Sequence, residues 1–264
     1  MNVTDIHSHL LPGVDDGSKT VEEALGALCE SAYQGVTRQC FTPHYYSEES
    51  IADFLARREA ALDSILEAAA KGTVPAFEGE AYPAGIKTKA DGSGFDVYVK
   101  NTLTHCEMKV FPGCEAAWHP GLVHDDRLTD LCYKGTRYLL LELPFDGWSD
   151  KVIDDVEFMI RTLGIVPVIA HMERYDDVPR KLKRKLRELP VIIQSNCGYL
   201  LGPETRRSAV SDIENGYVHI LGSDSHGMRR RRPNSGKAAA LMQEMNGEEY
   251  LEMFEENADR ILGI

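Results

Sequence analysis

Short apolar runs of strand length alternate with amphipathic helical stretches along almost the whole chain, and that alternation leaves few folds open. Asn2–Ile6 reads as a first strand, followed by a helix over Val21–Tyr33 with Val21, Ala24, Leu25, Leu28 and Ala32 on one face and Gly35 as its stop. Val36–Thr42 reads as a strand, and Glu48–Lys71 as a longer helix closed by Gly72. Tyr138–Leu143 is nearly continuous in apolar residues, as a strand buried on both faces is. A helical stripe follows over Val152–Leu163. Further strands are expected at Ile165–Ala170, Val191–Gln194 and Val218–Gly222, with helices at Lys181–Glu188, Glu204–Asn215, Ser235–Met245 and Glu248–Leu262. Repeated strand–helix units pair in parallel, and seven or eight of them in a chain of 264 residues fit a barrel better than an open sheet. One segment, Gly79–Lys109, breaks the rhythm. Its Asp91-Gly92-Ser93-Gly94 turn lies between Ile86–Ala90 and the alternating Phe95–Val99, which predicts a hairpin-like insertion at about 79–109 within a single domain spanning 1–264.

Charge narrows the partners. Lys plus Arg number 29 against 42 Asp plus Glu, a formal net charge of −13, which argues against a general nucleic-acid binder. No run approaches the roughly 18–20 apolar residues of a membrane span. The start of the chain lacks the basic flank and apolar core of a signal peptide, so a soluble, cytoplasmic protein is expected. The six cysteines (Cys29, Cys40, Cys106, Cys114, Cys132, Cys197) are scattered without a Cys-x-x-Cys pair, and read as buried free thiols. None is followed six positions later by arginine, so the thiolate loop of cysteine-based phosphatases is missing.

The chemistry-bearing residues gather at strand ends. His7, His9, His44, His171 and His226, together with Glu115, Glu142 and Asp224, all fall just past the carboxyl end of an expected strand, the face on which barrel enzymes build active sites. His7-Ser8-His9 sets two imidazoles on one side of the backbone, and Asp16 can return to them through the turn that Gly13 and Gly17 favour. His105, His119, His124 and His219 make no comparable claim. Tyr45 and Tyr46 either line a pocket for an aromatic ring or pack on the surface. The basic run Lys181–Arg187 reads as a solvated helix face, with a docking surface for an acidic partner as the alternative.

In order, the segments are Asp5-Ile6-His7-Ser8-His9-Leu10-Leu11-Pro12-Gly13-Val14-Asp15-Asp16-Gly17, Thr42-Pro43-His44, Gly113-Cys114-Glu115, Glu142-Leu143-Pro144, His171-Met172-Glu173-Arg174-Tyr175 and Ser223-Asp224-Ser225-His226. They resemble the PHP (polymerase and histidinol phosphatase) superfamily, and within it the bacterial tyrosine-protein phosphatases of the CpsB/CapC type. The resemblance covers the chain outside 79–109; Met172 stands where that pattern has proline. It implies a distorted, TIM-like (β/α)7 barrel with a metal site at the carboxyl ends of the strands. It also implies three divalent ions held by His7, His9, Asp16, His44, Glu115, Glu142, His171, Asp224 and His226. Five imidazoles, four carboxylates and no thiolate suit manganese, iron or zinc; manganese is the choice the family implies.

The activity implied is hydrolysis of phosphotyrosine by a metal-bridging hydroxide. The substrate would be the tail of a bacterial tyrosine kinase of capsule or exopolysaccharide biosynthesis. Arg174 and one arginine of Arg229–Arg232 would grip the phosphate. Distance from His226 favours Arg231, whereas the following Pro233 favours Arg232. One alternative is a phosphoesterase of the same superfamily acting on histidinol phosphate or another small monoester. A non-catalytic kinase-binding regulator would have lost metal ligands, and a polymerase-associated module would be longer and basic.

Overall fold

The computed structural model describes residues 3–77, 80–81, 84–89, 93–99 and 105–264. Strand β1, Val3–Asp5, leads through the histidine loop to helix α1, Val21–Tyr33. Thr20 caps α1 by accepting from the Glu23 amide, and Ala24, Leu25, Leu28, Cys29 and Ala32 are its buried face. Then come β2, Val36–Phe41, the two-residue β3, His44–Tyr45, and α2, Ile51–Ala70. α2 starts later than the pattern from Glu48 predicts because the Ser50 hydroxyl accepts from the Asp53 amide at 3.1 Å and fixes the first turn there.

Next, β4, Ala76–Phe77, pairs antiparallel with β5, Glu80–Ala81. β6, Ala84–Thr88, and β7, Gly94–Val99, run antiparallel to each other, while the expected Asp91-Gly92 turn lies outside the described residues. β8, His105–Pro112, starts inside the segment read as an insertion: it pairs antiparallel with β7 and parallel with β2. The described part of the hairpin is therefore an extension of a main sheet. β9, Glu115–Ala117, continues β8 after a break at Gly113-Cys114.

The second half repeats strand and helix. It contains β10, Tyr138–Glu142; α3, Asp150–Arg161; β11, Val166–Ile169; α4, Arg180–Arg187; β12, Ile192–Asn196; and α5, Cys197–Leu201. It ends with α6, Arg206–Glu214; β13, Ile220–Gly222; α7, Ser235–Glu244; and α8, Glu248–Leu262. Leu182 and Leu186 are the buried face of α4, while Lys185 pairs with Asp150 and Arg187 lies over Tyr217, as a solvated basic face does. No described helix is long and apolar enough to cross a membrane.

The molecule is an α/β protein whose mainly parallel strands curl as a half-barrel. Of the two larger sheets, one has the order β1-β2-β8-β7-β6 and the other β13-β12-β11-β10-β9-β3. Beyond β1 the chain joins both sheets: the Thr42 amide donates to the Ser8 carbonyl, the Asp224 amide to the His7 carbonyl and the His9 amide to the Ser225 carbonyl, each at 2.8 Å. Asp5, fully buried, ties the same ends together by accepting from the Ser223 amide at 2.9 Å and hydroxyl at 2.6 Å, and from Gln39 at 3.1 Å. On β10 the apolar run serves two faces. Leu139 and Leu141 pack in the large core with the helices, and Leu140 packs with Ile6, Cys40, Val168, Ala170 and Ile220 of neighbouring strands. Period-two packing of this kind leaves the carboxyl ends of the strands free for polar side chains.

Candidate metal centre

The nine residues singled out as ligands come together at the carboxyl ends of the strands. Their ligand atoms form three adjoining groups: His9, Asp16, His44 and His226; His7, His9 and Asp224; and Glu115, Glu142 and His171, with the atoms of each group within 4.8 Å of one another. Glu115 is the hub. Its Oε1 lies 2.9 Å from His171 Nε2, while its Oε2 lies 3.2 Å from both His7 Nε2 and His9 Nε2 and 3.1 Å from His44 Nδ1. His7 Nε2 and His9 Nε2 stand 3.1 Å apart. Asp16 Oδ1 lies 3.2 Å from His226 Nε2 and 3.7 Å from His44 Nε2, and Glu142 Oε1 lies 3.3 Å from His171 Nε2.

Local geometry aims the imidazoles. His7 Nδ1–H donates to Gln194 Oε1 at 3.1 Å, His9 Nδ1–H to Asp15 Oδ2 at 2.7 Å, and His226 Nδ1–H to the Asp224 carbonyl at 2.9 Å. Each bond leaves the Nε2 lone pair facing the cluster, the orientation a metal-binding histidine needs. Asp15 also accepts from the His44 amide at 2.9 Å, and Gln194 from the His171 amide at 2.8 Å. His171 (φ 33°) and Asp224 (φ 52°) both adopt the left-handed backbone region, rare for residues with a side chain and often associated with functional sites. Gly17 has to be glycine, because a Cβ there would meet the His9 carbonyl oxygen at 1.9 Å.

The donor set fits divalent cations. Glu115 Oε2, His44 Nδ1 and His226 Nε2 are buried without a hydrogen-bond partner, although carboxylate oxygens and imidazole nitrogens surround them at close range. Lone pairs converging in this way, rather than donors meeting acceptors, are what a bound cation satisfies. Electrostatics tell the same story. Glu115, fully buried, is held well below the usual carboxylate range because the surrounding histidines outweigh the effect of burial. Burial pulls His171 down, but the carboxylates of Glu115 and Glu142 offset this and push it up to about 9. Burial and the neighbouring His9 take His226 down to about 4.

A His171 shifted in this way would carry a proton at neutral pH in the metal-free protein, and a cation taken up at its Nε2 would have to expel it. Uptake of manganese at pH 7 should release protons to the buffer, and affinity should rise with pH through about 9, where His171 is half deprotonated. Calorimetry in buffers of different ionisation heat measures this; uptake without proton release would contradict the assignment of His171.

Two guanidinium groups border the cluster. Arg174 pairs with Asp224 Oδ2, and Arg231 Nη1 lies 3.1 and 3.0 Å from the two Asp224 oxygens, with its Nη2 3.6 Å from Asp16. Arg232 turns instead to Glu30 at 4.0 Å. Of the pair left open by the sequence, the one beside the cluster is Arg231. Sequence reasoning passed over Asp15, Gln194 and Asn196, the last of which donates to Asp224 Oδ2 at 2.9 Å. A signal existed, since Gln194-Ser195-Asn196 puts polar residues at the end of an otherwise apolar buried strand.

Fold and site together define a class: α/β proteins that gather imidazoles and carboxylates into a cluster fit to hold metal at the carboxyl ends of parallel strands. The chain belongs to the CpsB/CapC family, described as capsular polysaccharide synthesis, whose model matches residues 3–77 and 88–263. It is 29% identical to the tyrosine-protein phosphatase CpsB of Streptococcus pneumoniae, covering 98% of this chain and 97% of that one. It is 24% identical to the tyrosine-protein phosphatase YwqE of Bacillus subtilis, covering 98% and 91%. A solved structure from work on YwqE from Bacillus subtilis and CpsB from Streptococcus pneumoniae, described as unique metal-dependent tyrosine phosphatases, shares the fold. It has a TM-score of 0.74 at 23% identity and covers 99% of this chain and 94% of that one.

Proposed function

We propose that this protein is a metal-dependent protein-tyrosine phosphatase, and the observation that carries the reading is the convergence of all nine expected ligands into three adjoining groups, with Glu115 beside four of the histidines. The names of its relatives support the substrate class. His7, His9, Asp16, His44, Glu115, Glu142, His171, Asp224 and His226 would hold the ions, three by the number of groups, with manganese first and iron or zinc as alternatives. When bound, such ions make water acidic enough to be deprotonated near neutral pH and neutralise the charge of a phosphate ester.

The chain's own groups supply the rest. Asp15 and Gln194 hold His9 and His7 in one tautomer. Arg174 and Arg231, both partly exposed beside Asp224, present forked N–H donors that match phosphate oxygens in pairs. A tyrosine leaving group has a pKa of about 10, so no strong general acid is required. No thiolate nucleophile is called for: all six cysteines are buried, and none belongs to the three groups.

The same reading takes the chain as one catalytic domain, a distorted (β/α)7 barrel. The backbone bonds from His7 and His9 to the segment after β13 would close its ring, and β6–β7 would be an insertion on its edge. The family's link with capsular polysaccharide synthesis supports a bacterial tyrosine kinase of capsule or exopolysaccharide assembly as the phosphotyrosine protein. Free thiols suit the reducing cytoplasm.

The test is phosphate release from a phosphotyrosine peptide and from histidinol phosphate under identical metal conditions. Preference for the peptide is the expected result; turnover of histidinol phosphate alone would make this a small-molecule phosphoesterase. Replacing Arg174 with alanine should leave bound metal intact and lower kcat/KM by about 10²-fold, the scale of lost charge-assisted bonds to a phosphate. Metal analysis beside kinetics checks this, and loss of metal would show that Arg174 is structural.

A further inference from the structure

Two large aromatic side chains stack on imidazoles of the candidate centre and are about half exposed. Tyr46 stacks on His44 with ring centroids 5.1 Å apart and planes inclined by 23°. Phe145 stacks on His171 at 5.8 Å and 14°. These two imidazoles approach different oxygens of Glu115, so each ring stacks on a histidine that touches that carboxylate. Tyr46 is 46% exposed and Phe145 51% exposed. Apolar surface left in water at a polar site gains by being covered.

Both rings are held in place. Phe145 also meets Tyr175 at 5.9 Å, Tyr175 meets Trp148 at 5.2 Å, and the Trp148 indole donates to the Pro144 carbonyl at 2.6 Å, which pins the loop carrying Phe145. Tyr46 follows Tyr45, which is buried edge-on against Phe54 at 5.3 Å. Walls fixed in advance lose little freedom when a ligand enters.

We propose that Tyr46 and Phe145 receive the phenyl ring of the substrate between them and so make the site selective for aryl over alkyl phosphate esters. The inference rests on the phosphatase reading above and names the groups that set its substrate class. A phosphotyrosine ring offers these half-exposed rings a partner for offset or edge-on stacking, whereas a phosphoserine side chain offers none. Each aromatic contact corresponds to a factor of about 3–10 in affinity.

The test is calorimetric titration of the metal-loaded protein with phenylphosphonate and with methylphosphonate. The parent protein should bind the phenyl compound more tightly. Tyr46→Leu and Phe145→Leu should each shrink that preference by about threefold or more, and the double variant by about tenfold or more, while Tyr46→Phe retains it. For a phosphotyrosine peptide the rise in KM should exceed the change in kcat. Leucine variants that keep both their metal and the parental preference would overturn the proposal. In the zinc-loaded parent, magnetisation transfer from the phenyl protons to the rings of Tyr46 and Phe145 is expected independently of any variant, and its absence would also overturn it. A parent that prefers phenylphosphonate but releases no phosphate from phosphotyrosine would refute the phosphatase reading and leave the aromatic walls standing.

Discussion

His171→Ala and Asp224→Ala each remove turnover, by about 10³-fold or more, while the protein stays folded. Loss of a ligand forfeits several kcal/mol of the charge stabilisation that bound metal supplies, and each ~1.4 kcal/mol is a factor of ten in rate. His171 belongs to the group with Glu115 and Glu142, and Asp224 to the group with His7 and His9, so the two variants test separate parts of the centre. The fold should survive because neither side chain is part of the apolar core. Circular dichroism, metal analysis and phosphate release on the same samples check the prediction. Substantial activity in both folded variants would remove them from the metal site.

Glu115→Gln is the second large effect. An amide is nearly the same shape, but it offers one acceptor oxygen where the carboxylate offers two, and its NH2 would face histidine nitrogens. Glu115 uses both oxygens, one toward His171 and the other toward His7, His9 and His44, and is completely buried. The variant should hold fewer ions per chain and lose about 10³-fold in turnover. It should also release fewer protons on metal uptake, because the carboxylate that pushes His171 up is gone. A variant with the full metal complement and parental turnover would reduce Glu115 to a packing role.

Much of this architecture was legible in the sequence where local chemistry determines it. Helices α1 and α8 begin and end where the apolar pattern sets them, the first fixed by Thr20 and the second closed by Gly263 in the left-handed region. The strands of the second half appear as apolar runs because both faces are covered. β3 and β9 are too short to show any periodicity and exist because they continue β2 and β8 past a break. β8 was absorbed into the irregular segment around it, since alternation over His105–Pro112 does not reveal whether its partner is the hairpin or β2; it has both.

The site divides in the same way. The nine candidate ligands lie in short motifs that ligand chemistry and the family resemblance single out together. That Glu115 stands at the centre of four histidines is a property of strand order, on which sequence spacing says nothing. The left-handed backbone of His171 and Asp224 was hidden as well, because neither is a glycine, the residue that announces it. Phe145 lies in a loop with no periodicity, so only the stacking on His171 brings it into the site.

Phosphotyrosine hydrolysis by this protein is expected to depend on cations held by this cluster. The most direct measurement is phosphate release from a phosphotyrosine peptide by chelator-stripped protein during stepwise return of manganese, with bound metal counted at each step. The account predicts no release from the stripped protein and recovery that follows occupancy, reaching its plateau when the three groups are filled. Full turnover by folded protein shown to be free of metal would contradict it.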